Sequence, residues 1–153
     1  MVLDGNAPES IARAADALAA GQLIGLPTET VYGLAADAGS DAAVRGIFAA
    51  KGRPADHPLI VHVASVAQVS DFADQVPVFA QKLIDAFWPG PLTLILPRRA
   101  GVAEAAAGGH ATIGVRCPAH PVAQALLAAC AARGVRGLAA PSANRFGRIS
   151  PTT

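Results

Sequence analysis

Short apolar runs of strand length alternate along this chain with alanine-rich stretches of helical period, and proline or glycine marks most of the boundaries. Pro8 at a first-turn position, the periodic Ile11, Ala14, Ala15 and Leu18, and the stop at Gly21 predict a helix. Gln22 to Leu26 predicts a strand that ends at Pro27. Ser40 or Asp41 caps a second helix carrying Val44, Ile47 and Phe48, which Gly52 ends. Pro58 to Ala64 reads as a β-branched strand, and one or two helices cover Val66 to Phe87. Trp88-Pro89-Gly90-Pro91 is a rigid turn before the strand Leu92 to Leu96. Ala111 to Arg116 predicts a strand, His120 to Ala132 a helix closed by Gly134, and Gly137 to Ala140 a last strand. Interleaving of this kind predicts an α/β layer architecture in which helices cover a mixed sheet.

The length of 153 residues suits one domain with one core. Hydrophobic residues make up 52% and charged residues 15%, which excludes the disordered class. The chain holds 36 alanines and 5% aromatics, so its elements must approach closely through small side chains. Cys117 to Ala132 is the longest charge-free stretch that could pass for a membrane span, but it contains His120 and two prolines and is too short. Met1 to Ser10 lacks the basic start and apolar run of a secretion signal. Cys117 and Cys130 are unclustered, as suits reduced thiols and a cytoplasmic location without a membrane partner. Both thiols, with Trp88 and Phe87, are assigned to packing, the aromatic pair plugging the core beside its proline turn.

The net charge of +1 conceals an uneven distribution. Residues 1–97 carry 5 basic and 10 acidic side chains, whereas residues 98–153 carry 7 arginines against the single Glu104. An arginine excess suits bidentate recognition of phosphate or carboxylate, or equally forms a solvated basic face.

Four stretches concentrate reactive side chains. Pro27-Thr28-Glu29-Thr30-Val31-Tyr32-Gly33-Leu34 follows a strand, where polar loop groups stand on a rigid sheet, although Thr28 and Thr30 could equally cap a turn. Lys51-Gly52-Arg53-Pro54, with His57 just beyond, sits at a helix C-terminus. There the cations complement the helix dipole or form an anion clamp. His62 shares a strand face with Ile60, a setting more common for a hydrogen-bonded core histidine than for a catalyst. Thr112 to Arg116 ends an apolar strand with a guanidinium, and Ala139 to Thr153 strings hydroxyls, Asn144 and two arginines after another strand. Walker and dinucleotide-binding glycine patterns are both missing, and the histidine spacing does not suit a protein-ligated zinc centre.

Taken in order, P-T-E-T-V-Y-G-L, K-G-R-P followed by H-P-L, W-P-G-P-L-T, V-R-C-P, and A-P-S-A-N with S-P-T resemble the YrdC-type threonylcarbamoyl-AMP synthases from about Gly21 to Thr153. The resemblance implies a twisted mixed sheet with packed helices and an open cleft. It also implies an enzyme of the nucleotidyltransferase type that joins L-threonine, bicarbonate and ATP, with Mg²⁺, into threonylcarbamoyl-adenylate for tRNA modification. It places Thr30, His62, Arg116 and the Ala140 backbone around threonine. Lys51, Arg53, His57, Thr112, Ser142, Asn144 and Ser150 fall to ATP, with Lys51 and Arg53 catalytic. Position 57 holds histidine where the resembled pattern has asparagine, and a histidine can still donate a hydrogen bond. Relatives continue past S-P-T-T, so the expectation is a single domain over residues 1–153 that lacks the C-terminal end of the family domain. RNA or tRNA and downstream tRNA-modification proteins are further expected partners. The competing reading is a non-catalytic module of the same fold that binds double-stranded RNA or tRNA through its arginines, weakened by the near-neutral charge and few aromatics. A third reading, the carbamoyl-transfer domain of hydrogenase-maturation proteins, lacks the additional domains of those chains.

Overall fold

A computed structural model describes residues 8–27, 32–51 and 58–141. Its elements in chain order are α1 (Pro8–Ala19), β1 (Ile24–Pro27), β2 (Tyr32–Asp37), α2 (Asp41–Lys51), β3 (Ile60–His62), a 3₁₀ turn (Val66–Asp71), α3 (Val78–Phe87), β4 (Thr93–Pro97), β5 (Thr112–Arg116), α4 (Pro121–Ala131) and β6 (Leu138–Ala140). The six strands form a sheet in the order β1-β2-β6-β3-β5-β4. Only β3 and β5 run parallel; the other neighbours are antiparallel. The α/β class with a mixed sheet is therefore as the sequence predicts.

The sequence reading places no strand over Tyr32–Asp37, yet this segment is β2 and pairs with both β1 and β6. Alanine is a poor strand former, so Leu34-Ala35-Ala36 carries little local signal, and tertiary pairing decides its conformation. Ala35 and Ala36 are both fully buried, on opposite faces, because a helix packs against each side there.

One sheet face is covered along its length. Ala36, Ala139, Val61, Val115, Ile113, Leu94 and Leu96 pack against Val44, Ile47 and Phe48 of α2, Val69 and Phe72 near the 3₁₀ turn, and Ala80 and Ile84 of α3. Ser40 starts α2 by accepting the Ala43 N–H at 3.2 Å, as its capping position predicts. The loop between β4 and β5 closes this core: Asp41 accepts the Ala105 N–H at 3.2 Å, and the Leu59 N–H reaches Ala106 O at 2.8 Å.

The other face is covered only in part. Ala14, Ala15 and Leu18 of α1 and Leu126, Leu127 and Cys130 of α4 pack over Ile24, Ala35 and Leu138 of β1, β2 and β6. Alanine at the α1–α4 contact permits the close approach that the composition predicts. Gly134, at φ +84°, turns the chain out of α4, and the Val135 N–H closes on Cys130 O at 2.9 Å. No described helix lies over β3, β5 and β4 on this face, and Ile95 there is 64% exposed.

The aromatic pair at the end of α3 divides. Ala80 and Ile84 are buried, and the four-residue step continues to Trp88, which packs on the core and donates from Nε1 to Leu92 O at 2.9 Å. Phe87, the last residue of α3, is 56% exposed, so it does not plug the core as the sequence reading expects. Cys117 and Cys130 are both buried free thiols, in keeping with a packing role.

Candidate active site on the open half of the sheet

Strand register lays the predicted residues out in rows. Directly paired residues project from the same face of a sheet. Asp37 pairs with Leu138, Leu138 with His62, His62 with Arg116, and Arg116 with Thr93. This row crosses five strands; its Asp37 and Leu138 end lies on the strands beneath α1 and α4, and its His62, Arg116 and Thr93 end lies on the open half. The next row along the strands is Ala140, Ile60, Gly114 and Ile95. A third begins with Thr112, which pairs with Pro97. Successive rows lie roughly 6.6 Å apart, two residues of strand rise. His62, Arg116, Ala140 and Thr112 thus occupy neighbouring strands on one face, with His62 and Arg116 at one end and Thr112 and Ala140 toward the other.

Arg116 is half-buried and donates from Nε to Gly90 O at 3.0 Å. The Gly90 N–H is itself held by Cys117 O at 2.8 Å, so the Trp88-Pro89-Gly90-Pro91 turn clasps the end of β5. A Cβ on residue 90 would stand 2.7 Å from Phe87 O, which reserves the position for glycine. With Nε committed to the turn, a carboxylate would be met by the terminal guanidinium nitrogens. His62 is half-buried with its Nδ1 inside the protein. The Val63 N–H bonds Arg116 O at 2.9 Å, and the Cys117 thiol lies 3.7 Å from Ala64 O, locking the ends of β3 and β5 together. Thr112 is exposed and Ala140 is buried.

Lys51 is the last residue of α2. Thr30, Arg53, His57, Ser142, Asn144 and Ser150 lie outside the described residues. The described residues to which their segments join nevertheless share one end of the sheet. Segment 28–31 connects the paired residues Pro27 and Tyr32, segment 52–57 leads into β3 through Pro58, and β6 leads through Pro141 to 142–153. Because β2 and β3 both run antiparallel to β6, all three attachments fall at the Ile60 and Ala140 end.

The arginine excess of the second part is spent largely on the fold. Arg98 donates to His110 O at 2.9 Å and Val102 O at 3.0 Å, and Arg99 donates to Ser70 O at 3.0 Å. Arg133 pairs with Asp16 across α1 and α4 at 2.6 Å, and Arg136 pairs with Asp71 at 2.8 Å. Arg145 and Arg148 lie outside the described residues, which leaves Arg116 as the arginine of this group described on the open face.

Sequence reasoning assigns no site role to Gly90, Thr93, Gly114 or Ile95, although the first three lie within the stretches it singles out. The available signal is the strand period of Thr93-Leu94-Ile95-Leu96: Leu94 and Leu96 face the core, so Ile95 is an apolar side chain on a face where solvent would favour a polar one.

The family model for Sua5, YciO and YrdC, described as "Telomere recombination", matches residues 16–153. The threonylcarbamoyl-AMP synthase of Pyrococcus abyssi is 50% identical over 133 residues, 87% of this chain and 38% of that protein. That of Bacillus subtilis is 44% identical over 151 residues, 98% of this chain and 42% of that protein. The chain therefore spans about two fifths of the length of these curated relatives. A solved structure of P. abyssi Sua5 complexed with L-threonine superposes with a TM-score of 0.82 at 47% identity, covering 90% of this chain and 39% of that one.

Proposed function

This chain belongs to the Sua5–YciO–YrdC family, and from that membership we propose that it forms L-threonylcarbamoyl-adenylate and pyrophosphate from L-threonine, bicarbonate and ATP, a nucleotidyltransfer that feeds tRNA threonylcarbamoyladenosine. The observation that carries this reading is the row His62–Arg116 on the part of the sheet face that no described helix covers, while the described residues flanking the cationic and hydroxyl-rich segments lie at the other end of the strands. Two charged substrates that must react need two anion-receiving ends a few ångströms apart, and Arg116 supports the reading at one of them.

In the proposed reaction the threonine carboxylate rests on the Arg116 guanidinium, oriented through Gly90, with His62 and Thr30 around the amino acid and the Ala140 backbone nearby. The amine takes up bicarbonate-derived CO₂ as a carbamate. A carbamate oxygen then bonds to the α-phosphorus while the bond from that phosphorus to the bridging oxygen breaks, and pyrophosphate departs with the electron pair. Here an anion approaches an anion, so concentrated positive charge is the main requirement. Lys51 and Arg53 supply it, and His57, Thr112, Ser142, Asn144 and Ser150 hold the nucleotide. Among the described residues no three His, Cys, Asp or Glu side chains cluster as a metal site, and we assign Mg²⁺ to the ATP phosphates. Bound there, it would supply charge neutralisation beside Lys51 and Arg53. Positioning and exclusion of water from the labile carbamate complete the catalysis.

Mixing the protein with ATP, Mg²⁺, threonine and bicarbonate should yield the adenylate by mass spectrometry, and omitting any one component should abolish it. Lys51→Ala or Arg53→Ala should lower threonine-dependent pyrophosphate release by at least about 100-fold, the cost of removing one charge-stabilising donor. Unchanged turnover in both variants would refute the assignment. Salt-sensitive binding of double-stranded RNA without any adenylate would support the non-catalytic alternative instead.

A further inference from the structure

Beside Arg116 the open face is apolar. Gly114 lies two residues before Arg116 on β5, and three side chains crowd its bare Cα. A Cβ built there would meet Ile60 Cδ1 at 2.9 Å, Ile95 Cδ1 at 3.3 Å and Thr93 Cγ2 at 3.4 Å. Three aliphatic carbons from the two strands that flank β5 thus converge on one spot of the floor. Ile60 and Ile95 occupy the row between the Arg116 row and the Thr112 row, and Thr93 reaches into it from the Arg116 row; in the proposed reaction this row is the path from the amino-acid carboxylate to a nucleotide phosphate. Ile95, its most exposed member, belongs to β4 at the sheet edge, whereas His62 belongs to β3 on the opposite side of β5.

We infer that Ile95, with Ile60 and the Thr93 methyl, is a specificity-determining surface that receives the methyl group on Cβ of the amino-acid substrate, so that the site prefers a β-methyl, β-hydroxy amino acid to its demethylated counterpart. The inference rests on the proposed synthase reading for the seat of the carboxylate on Arg116. From that seat an amino acid whose amine must travel toward the nucleotide end passes its Cβ over the Gly114 row. The two substituents of Cβ then face different walls: the hydroxyl faces the polar β3 side with His62, and the methyl faces the apolar β4 side with Ile95. A single methyl group against an apolar surface supports roughly tenfold discrimination.

The test is the affinity of L-threonine against L-serine, measured by calorimetry with a non-hydrolysable ATP analogue present, in the wild type and in Ile95→Ala and Ile95→Val. Because Ile95 is largely exposed, both variants should fold, which circular dichroism checks directly. The wild type should bind threonine roughly tenfold more tightly than serine, Ile95→Ala should lose most of that ratio through weaker threonine binding, and Ile95→Val should keep most of it. Affinity for the ATP analogue should stay unchanged. A threonine-to-serine ratio that survives Ile95→Ala, or a variant that weakens the nucleotide and leaves the ratio intact, overturns the inference while sparing the synthase reading. Preferential binding of threonine that vanishes in Ile95→Ala, combined with no adenylate formation, sinks the synthase reading and keeps the specificity surface. Absence of binding by either amino acid defeats both.

Discussion

Cys130 and Arg116 show how one residue's chemistry follows from what surrounds it. Burial beneath α1 pushes the Cys130 thiol up to about 11, the nearby Asp37 adds to the rise, and Arg133 opposes it. Cys117 rises for the same reason, burial. A thiol with a raised folded pKa binds its proton more tightly in the native state, so its contribution to stability is complete below the unfolded value near 9 and is lost as pH climbs toward about 11. Urea denaturation between pH 8 and 11 should therefore show stability falling with pH, and Cys130→Ala should flatten that slope; an unchanged slope would reject the assignment. Cys130 should also resist alkylation at pH 8 in the native protein, because the thiolate is the reactive form. Arg116 was legible as a cation at a strand end, since the sequence places it after an apolar run. Its bond to Gly90 O, 26 positions earlier, was not legible, because no local pattern reports which loop returns to a given strand.

At the scale of elements, the W-P-G-P turn joins α3 to β4 and at the same time orients the guanidinium on β5. Gly90→Ala should drive its new methyl into Phe87 O and shift the carbonyl that holds Arg116 Nε. The expected result is a KM for threonine raised roughly tenfold with kcat nearly unchanged, since the lost interaction is a binding one made equally in ground and transition states. Stability should fall by about 1–3 kcal/mol, as for other overpacked sites. A variant that loses stability alone, with KM intact, would make the turn purely structural. Helices α1, α2 and α4 and strands β3, β4, β5 and β6 are close to their sequence-read positions because period, caps and proline boundaries are local signals. Strand β2 escaped notice because alanine-rich strands have no local signature, and the Thr28 to Tyr32 segment beside it invited a loop reading.

Among the described residues, two layers of helices cover unequal areas of one sheet, and the area that no described helix covers is the candidate site. Ligands that bind only the native state raise its melting temperature: at about 100 times Kd the gain is about 2.7 kcal/mol, or roughly 5–10 °C for a chain of this size. Threonine and ATP should each raise it. Arg116→Ala should abolish the shift from threonine and preserve the shift from ATP, because Arg116 and Thr112 stand at opposite ends of the face. Differential scanning fluorimetry checks this, and loss of both shifts together would show that the ends are not separate. Composition and alternation alone determined the α/β class and most element boundaries, since these depend on burial and backbone preference at each position. The ordered motifs pointed to the chemistry. Tertiary structure alone decided that β3 and β5 lie side by side, that His62 meets Arg116 across them, and that most of the described arginines of the second part serve the fold. Register and strand order arise from contacts between residues far apart in the chain, and those contacts leave no trace in any short window of it.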